Sequence, residues 1–263
     1  MGEGSRIPQV TIRDSSPEAD VQGALSRGPG AVVILARLDS ARLPGKALRP
    51  VAGRELLGRV IDRVRLAVPA DAILVATSDR EIDDPIAKFV SGEGISVFRG
   101  SVNDVAGRCL ACAEVYGLGY LVRISGDSPF IDPSLIQSMM QRFESGDADI
   151  VTNVFPRGFP PGMSVEVIAV AALRRIIEAS DDPADREHVT VLAYRDPTEF
   201  KIDNVAPETA DLSGVALTID TEADLARAEW IASEISSDAG IDEILEQARR
   251  HASLVASDPN SPE

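Results

Sequence analysis

The chain has 263 residues, 44% of them hydrophobic, with 42 acidic against 26 basic side chains and a formal charge of −16. That length can bury a core as one large domain or two small ones. The acidity argues against a nucleic-acid or membrane-surface binder, because phosphate-rich partners would be repelled. With no long apolar run and no apolar leader in MGEGSRIPQVTIRDSS, a cytoplasmic protein is the expectation.

Residues 1–29 mix Gly, Ser, Pro, Asp and Glu without periodicity and read as a flexible extension. The stretch from 253 to 263 reads as a flexible tail, which leaves 30–252 as a single domain. Within it, short apolar runs predict strands over AVVILA (31–36), AILVAT (72–77), ISVF (95–98), YLVRI (120–124), ADIVT (148–152), SVEVIAV (164–170) and VALTI (215–219). Helical spacing separates most of them, over 54–66, 84–91, 102–116, 133–143, 171–179 and 222–234. Strands alternating with helices predict an α/β fold with a mostly parallel central sheet. Ligands bind such sheets at the carboxyl ends of the strands, so the residues just after each run carry the interest.

The first of these ends, ILARLDSARLPGK, is cationic. Between Ala36 and Arg65 eight basic residues face three acidic ones, a local surplus of +5 in an acidic chain. Arg54 to Arg65 fall on a helix, where a solvated face accounts for most of the charge. Arg37, Arg42 and Lys46 lie in a loop whose backbone Pro44 and Gly45 constrain, and such a loop can offer amides and cations to one anion. Lys46 is followed by Ala47, so no G-x-x-x-x-G-K-[ST] is present, and no G-x-G-x-x-G follows a strand. Local features favour phosphate binding without naming the ligand; a structural basic turn is the alternative.

Two carboxylates answer the loop. Asp127 in YLVRISGDSPFIDP and Asp220 in VALTIDTEADL each follow an apolar run, and Thr221 reads as an N-cap. Hard oxygens from two strand ends are what Mg²⁺ uses, with the rest of its shell left to water and phosphates. A turn at GDSP and a capping role for Asp220 are the plainer readings. Basic side chains opposite a cation are the requirement of phosphoryl or nucleotidyl transfer. The two cysteines, Cys109 and Cys112, form a C-x-x-C. A zinc site needs further ligands that His188 and His251 are not spaced to give, and the motif lies within a predicted helix, so it reads as two buried thiols.

The ordered series LARLDSARLPGKAL, VATSDREIDDPIAKF, VFRGSVNDVAGR, VRISGDSPFIDP, SVEV, REHVT and TIDTEADL resembles the spore coat polysaccharide biosynthesis cytidylyltransferases, relatives of the CMP-ketodeoxyoctonate and CMP-neuraminate synthetases. The resemblance spans about 31–235. It implies a three-layer α/β/α nucleotide-diphospho-sugar transferase fold and a reaction of CTP with an acceptor to give a CMP-conjugate and pyrophosphate. Carried over, Arg37, Arg42 and Lys46 hold the CTP phosphates, with Arg37, Lys46 and Asp127 as the catalytic set. Backbone at Ala36 and Leu38 and side chains at Ser78, Arg99 and Arg108 frame the cytidine. Asp127 and Asp220 ligate Mg²⁺, and Glu166, Arg186, Glu187 and His188 meet the acceptor. His188 also reads as a structural histidine on a helix capped by Asp181 or Asp182. Because relatives commonly dimerise, the resemblance implies a homodimer.

The chain departs from the family pattern at two places. Asp39 and Ala41 stand where Gly and Thr are usual, and GFPPGMSVEV has Pro161 and Ser164 where carboxylates are frequent. The lost carboxylates would lie on the acceptor side, so another anionic acceptor, such as a sugar acid, an amino sugar acid or a phosphonate, is the expectation. A glycosyltransferase of the same fold would carry an Asp-x-Asp motif that SGDSP does not supply. A non-catalytic nucleotide-binding subunit would bind CTP without releasing pyrophosphate.

Overall fold

The computed structural model describes residues 27–207, 212 and 214–257; the predicted extension over 1–26 and the end of the tail, 258–263, lie outside the described residues. The strands are β1 (Gly30–Leu35), β2 (Pro50–Val51), β3 (Arg54–Glu55), β4 (Ile73–Ser78), β5 (Ser96–Gly100), β6 (Tyr120–Ser125), β7 (Ile150–Thr152), β8 (Glu166–Ala169) and β9 (Ile202–Asn204). The helices are α1 (Leu56–Arg65), α2 (Asp84–Gly92), α3 (Val105–Val115), α4 (Pro133–Ser145), α5 (Val170–Ala179), α6 (Pro183–Glu187), α7 (Val191–Arg195), α8 (Glu222–Glu234) and α9 (Ile241–Ser257).

Seven strands form one sheet in the order β5-β4-β1-β6-β8-β7-β9. Only β8 runs against the rest, pairing antiparallel with β6 and β7. β1 is central, pairing with β4 from Val32↔Ile73 and with β6 from Gly30↔Tyr120. Its alternate residues feed two cores. Val32 and Ile34 pack with α1, α2, α4, α8 and α9, while Ala31 and Val33 pack with α3, α5 and α7. A strand apolar on both faces is the signature of a sheet covered on both sides, and each such Val or Ile contributes about 1.5–3 kcal/mol on burial. The predicted three layers and mostly parallel sheet are therefore present.

Local chemistry sets several boundaries. Asp132 accepts from the amides of Ser134 and Leu135 ahead of α4, with Pro133 in its first turn. Thr221 and Asp224 form a reciprocal capping box on α8, as the N-cap prediction required. Other predictions need correction. Residues 54 and 55 belong to a small hairpin turning on Ala52 (φ 46°) and Gly53 (φ 80°), and the helix starts only at Leu56. The predicted strand over 215–219 is not one. Leu217 and Ile219 are buried there, but their amides bond the carbonyls of Pro161 and Asp127 rather than a neighbouring strand. The sheet edge is β9 instead, which pairs with β7. α9 continues to Ser257, so 253–257 are helical where a tail was predicted.

The basic face of α1 is more structural than a solvated helix face. Arg54 and Arg65 converge on Asp62 and Glu93, and Arg59 donates to the carbonyls of Val51 and Ala52. Arg63 is buried and donates to the carbonyls of Ile131, Ser237 and Ala239. Among the described residues no helix is long and apolar enough to cross a membrane. Cys109 and Cys112 are buried free thiols on α3, and burial pushes them up to about 11 and about 12. Folded protein at pH 8 should therefore not react with Ellman's reagent, and both thiols should titrate once it is unfolded. Rapid reaction of the native protein would restore a redox role.

Candidate active site

At the carboxyl ends of β1 and β6 opens a cleft of about 490 Å³ lined by Ala36, Arg37, Arg42, Lys46, Arg108, Asp127, Glu187, His188 and Asp220, with small residues between them. These nine were all predicted from the sequence. Several features of the backbone bring them together. Gly45 at φ 73° turns the chain into a short 3₁₀ segment, Lys46–Leu48, which sends Lys46 back under the loop. Gly126 lets β6 end tightly against β1: a Cβ there would stand 2.8 Å from the Leu35 carbonyl oxygen and 3.0 Å from the Ala36 Cβ. Asp220 directly precedes the capped end of α8.

The centre of the cleft is the Lys46 ammonium. Nζ lies 2.8 Å from Asp127 Oδ2, 2.8 Å from Asp220 Oδ1 and 2.9 Å from the Ile219 carbonyl oxygen. Burial alone would lower its pKa, but the two carboxylates outweigh that and hold it above its ordinary value. The second oxygens are also engaged: Ser125 Oγ donates to Asp127 Oδ1 at 2.7 Å, and the Arg42 guanidinium lies 3.0 Å from Asp220 Oδ2. Arg37 reaches Asp39 at 3.4 Å and Glu187 at 3.5 Å. Each of the three loop cations thus faces a carboxylate of the chain itself. On the opposite wall Asp182 caps α6, whose end presents Glu187 and His188. Val189 follows at φ 40°, a conformation costing a β-branched residue about 1–3 kcal/mol.

Five predicted residues do not line the cleft. The Leu38 amide is taken by Asp83 Oδ1 at 2.7 Å, and Ser78 is buried with its hydroxyl on Asp83 Oδ2. Arg99 binds the carbonyls of Ser78 and Arg80 and pairs with Asp84. Arg186 holds the Ser180 carbonyl at 3.1 Å beside Asp104 and Asp181. Glu166 is fully buried against Arg123, Thr190 and Tyr194. The Ala36 amide, although at the cleft, donates to the Ala76 carbonyl at 3.3 Å. Sequence reasoning missed Ser125 and Asp83. Both sit in the strand-end motifs VRISGDSP and SDREIDD, so position was the available signal.

Among the described residues no three His, Cys, Asp or Glu side chains converge on a metal-sized site. Asp127 and Asp220 are a pair of hard oxygen donors already sharing one cationic group, the Lys46 ammonium. That donor set suits Mg²⁺, which takes one or two carboxylates and completes its shell with water and phosphate oxygens.

Comparison with known proteins identifies the family. Residues 31–250 match the family model described as cytidylyltransferase. The chain is similar to the spore coat polysaccharide biosynthesis protein SpsF of Bacillus subtilis, 35% identical over 201 residues, or 73% of this chain and 81% of that protein. A 3-deoxy-manno-octulosonate cytidylyltransferase of Aeromonas salmonicida is 31% identical over 130 residues, 48% of this chain and 50% of that protein. Among solved structures, a cytidylyltransferase from Leptospira borgpetersenii superposes with a TM-score of 0.81 at 29% identity, covering 87% of this chain and 97% of that one.

Proposed function

This chain belongs to the cytidylyltransferase family, and from that premise we propose that it joins CMP from CTP to an anionic acceptor, releasing pyrophosphate, with Mg²⁺ held by Asp127 and Asp220. The observation that carries the reading is the convergence of Arg42 and Lys46 on Asp127 and Asp220 at the ligand-binding edge of the sheet, with Arg37 lining the same cleft. A triphosphate entering the cleft offers Arg42 and Lys46 phosphate oxygens in exchange for Asp220 and Asp127. The exchange neutralises the β- and γ-phosphates, which leave as pyrophosphate, and frees the two carboxylates as hard ligands. An ion bound there supplies Lewis-acid stabilisation of charge on the phosphate oxygens. The chain's own task is then positioning: Arg37 beside Glu187 and His188 stands between the nucleotide loop and the wall where the acceptor approaches.

An acid group on the acceptor is supported by Arg157. It lies in the loop leaving the carboxyl end of β7, where Ser164 replaces a carboxylate of the family pattern. Arg157 bonds Ser164 Oγ at 3.0 Å and has no carboxylate within ion-pair distance among the described residues. Its guanidinium is exposed and free to pair with an incoming carboxylate. The octulosonate in the name of the Aeromonas relative is a sugar acid, and the name of the Bacillus relative supports a polysaccharide precursor.

Thermal denaturation with CTP, UTP, ATP and GTP, each with and without Mg²⁺, tests the reading. CTP at a hundredfold its Kd should stabilise the protein by about 2.7 kcal/mol, with a smaller effect when Mg²⁺ is withheld. Preference for a nucleotide-sugar, or no nucleotide response, would overturn it.

A further inference from the structure

The residue that fixes the cationic loop lies outside the cleft. Asp83 ends the 3₁₀ turn before α2 and is fully buried. Its Oδ1 accepts the Leu38 amide at 2.7 Å, across 45 residues of sequence, and its Oδ2 accepts from Ser78 Oγ at the end of β4. The Leu38 carbonyl in turn accepts the Gly45 amide at 2.8 Å, which closes the loop immediately before Lys46. A second arm runs through Arg80. Its guanidinium sits 3.4 Å from Asp83 and 2.6 Å from Asp39, and Asp39 contacts Arg37. Both ends of the loop therefore lead back to one carboxylate.

We propose that Asp83 is a positioning residue for the nucleotide: by pinning Leu38, and through Arg80 and Asp39, it holds the loop in the shape that presents Arg37, Arg42 and Lys46 together. The inference rests on the nucleotide reading above. It also gives Asp39 a use. A carboxylate beside the phosphate site is tolerable because Arg80 neutralises it while it steers Arg37. The half-buried Leu38 amide would lose a hydrogen bond to a charged acceptor, so the loop without Asp83 would search for another conformation. The nucleotide would then have to order the loop on binding.

Calorimetric titration of D83A, D83N and S78A with CTP and Mg²⁺ tests this, alongside pyrophosphate-release kinetics. D83A should bind CTP roughly ten- to a hundredfold more weakly, with the acceptor KM unchanged. D83N keeps an oxygen for the Leu38 amide and should recover most of that loss. S78A removes one Asp83 partner and an acceptor for Arg80 but leaves the Leu38 amide its anchor, so it should lower the melting temperature and weaken CTP binding clearly less than D83A does. Equal CTP affinity in D83A and wild type, or equal losses in D83A and S78A, would overturn the positioning role. If D83A does not fold, hydrogen exchange on the wild type decides: the Leu38 amide should be protected without nucleotide, and exchange at the rate of an open loop would sink the proposal. Wild-type protein that ignores CTP would instead overturn the nucleotide reading, while Leu38 protection would still report on the anchor.

Discussion

Replacing Lys46 by methionine should reduce kcat/KM by at least about 10²–10³-fold, measured as pyrophosphate release from CTP. The Lys46 side chain is 13% exposed and its ammonium touches Asp127, Asp220 and the Ile219 carbonyl at once, so no neighbour can stand in for it. Methionine keeps the stem and the packing but removes the charge. Asp127 and Asp220 then face one another with only Arg42 left to offset them. On the proposed reading this has a second signature. Nucleotide-free K46M should bind Mn²⁺ more tightly than the wild type, because the seat between the carboxylates has lost its resident cation, while its CTP affinity falls. Arginine should not rescue turnover, since a planar fork does not replace a compact ammonium held among three oxygens. Unchanged turnover in K46M would remove Lys46 from the machinery.

Glu166→Ala should be the most damaging single change to stability. Glu166 begins β8 opposite Arg123 on β6 and Thr152 on β7, and it is wholly enclosed. It pairs with Arg123 and accepts from Thr190 at 2.7 Å and from the Tyr194 hydroxyl. Removing it leaves Arg123, whose guanidinium burial already pushes below its ordinary pKa, without its counter-charge. Breaking such a pair costs about 3–5 kcal/mol, which for a domain of this size lowers the Tm by roughly 10 °C. Glu166→Gln should fall between, because the amide oxygen still serves Thr190 and Tyr194. A large fall in Tm with the acceptor KM unmoved assigns Glu166 to the framework. A stable variant with a raised acceptor KM would return it to the acceptor site.

The two substitutions mark where the sequence was legible. Arg37, Arg42, Lys46 and Asp127 could be found because they follow strands whose ends a parallel sheet gathers at one edge, while Asp220 also follows an apolar run but is brought there by the Ile219 amide bonding the Asp127 carbonyl. The capped helices α4 and α8 were similarly local, written in Asp132-Pro133 and Thr221 with Asp224. Glu166, Leu38, Ser78 and Arg99 were harder. Their polar groups are consumed by partners from other segments, and no spacing in the chain announces which donor meets which acceptor. The segment 215–219 misled for a related reason. Alternating buried residues satisfy a strand pattern, but only the neighbours reveal that Pro161 and Asp127, not a strand, take the amides. β9, with Asp203 and Asn204 in three residues, carries too little apolar pattern to read as a strand.

The central place of β1 also bears on how the molecule fluctuates. Its amides are sealed by a strand on each side and a helical layer above and below, so it belongs to the part of the protein that opens only when everything opens. β9 and the last turns of α9 lie at the other extreme, paired on one side or exposed. Excursions at that far edge can come and go without reaching the cationic loop, because the loop springs from a strand paired on both sides. The enzyme can thus breathe at its margin while its charges keep their places.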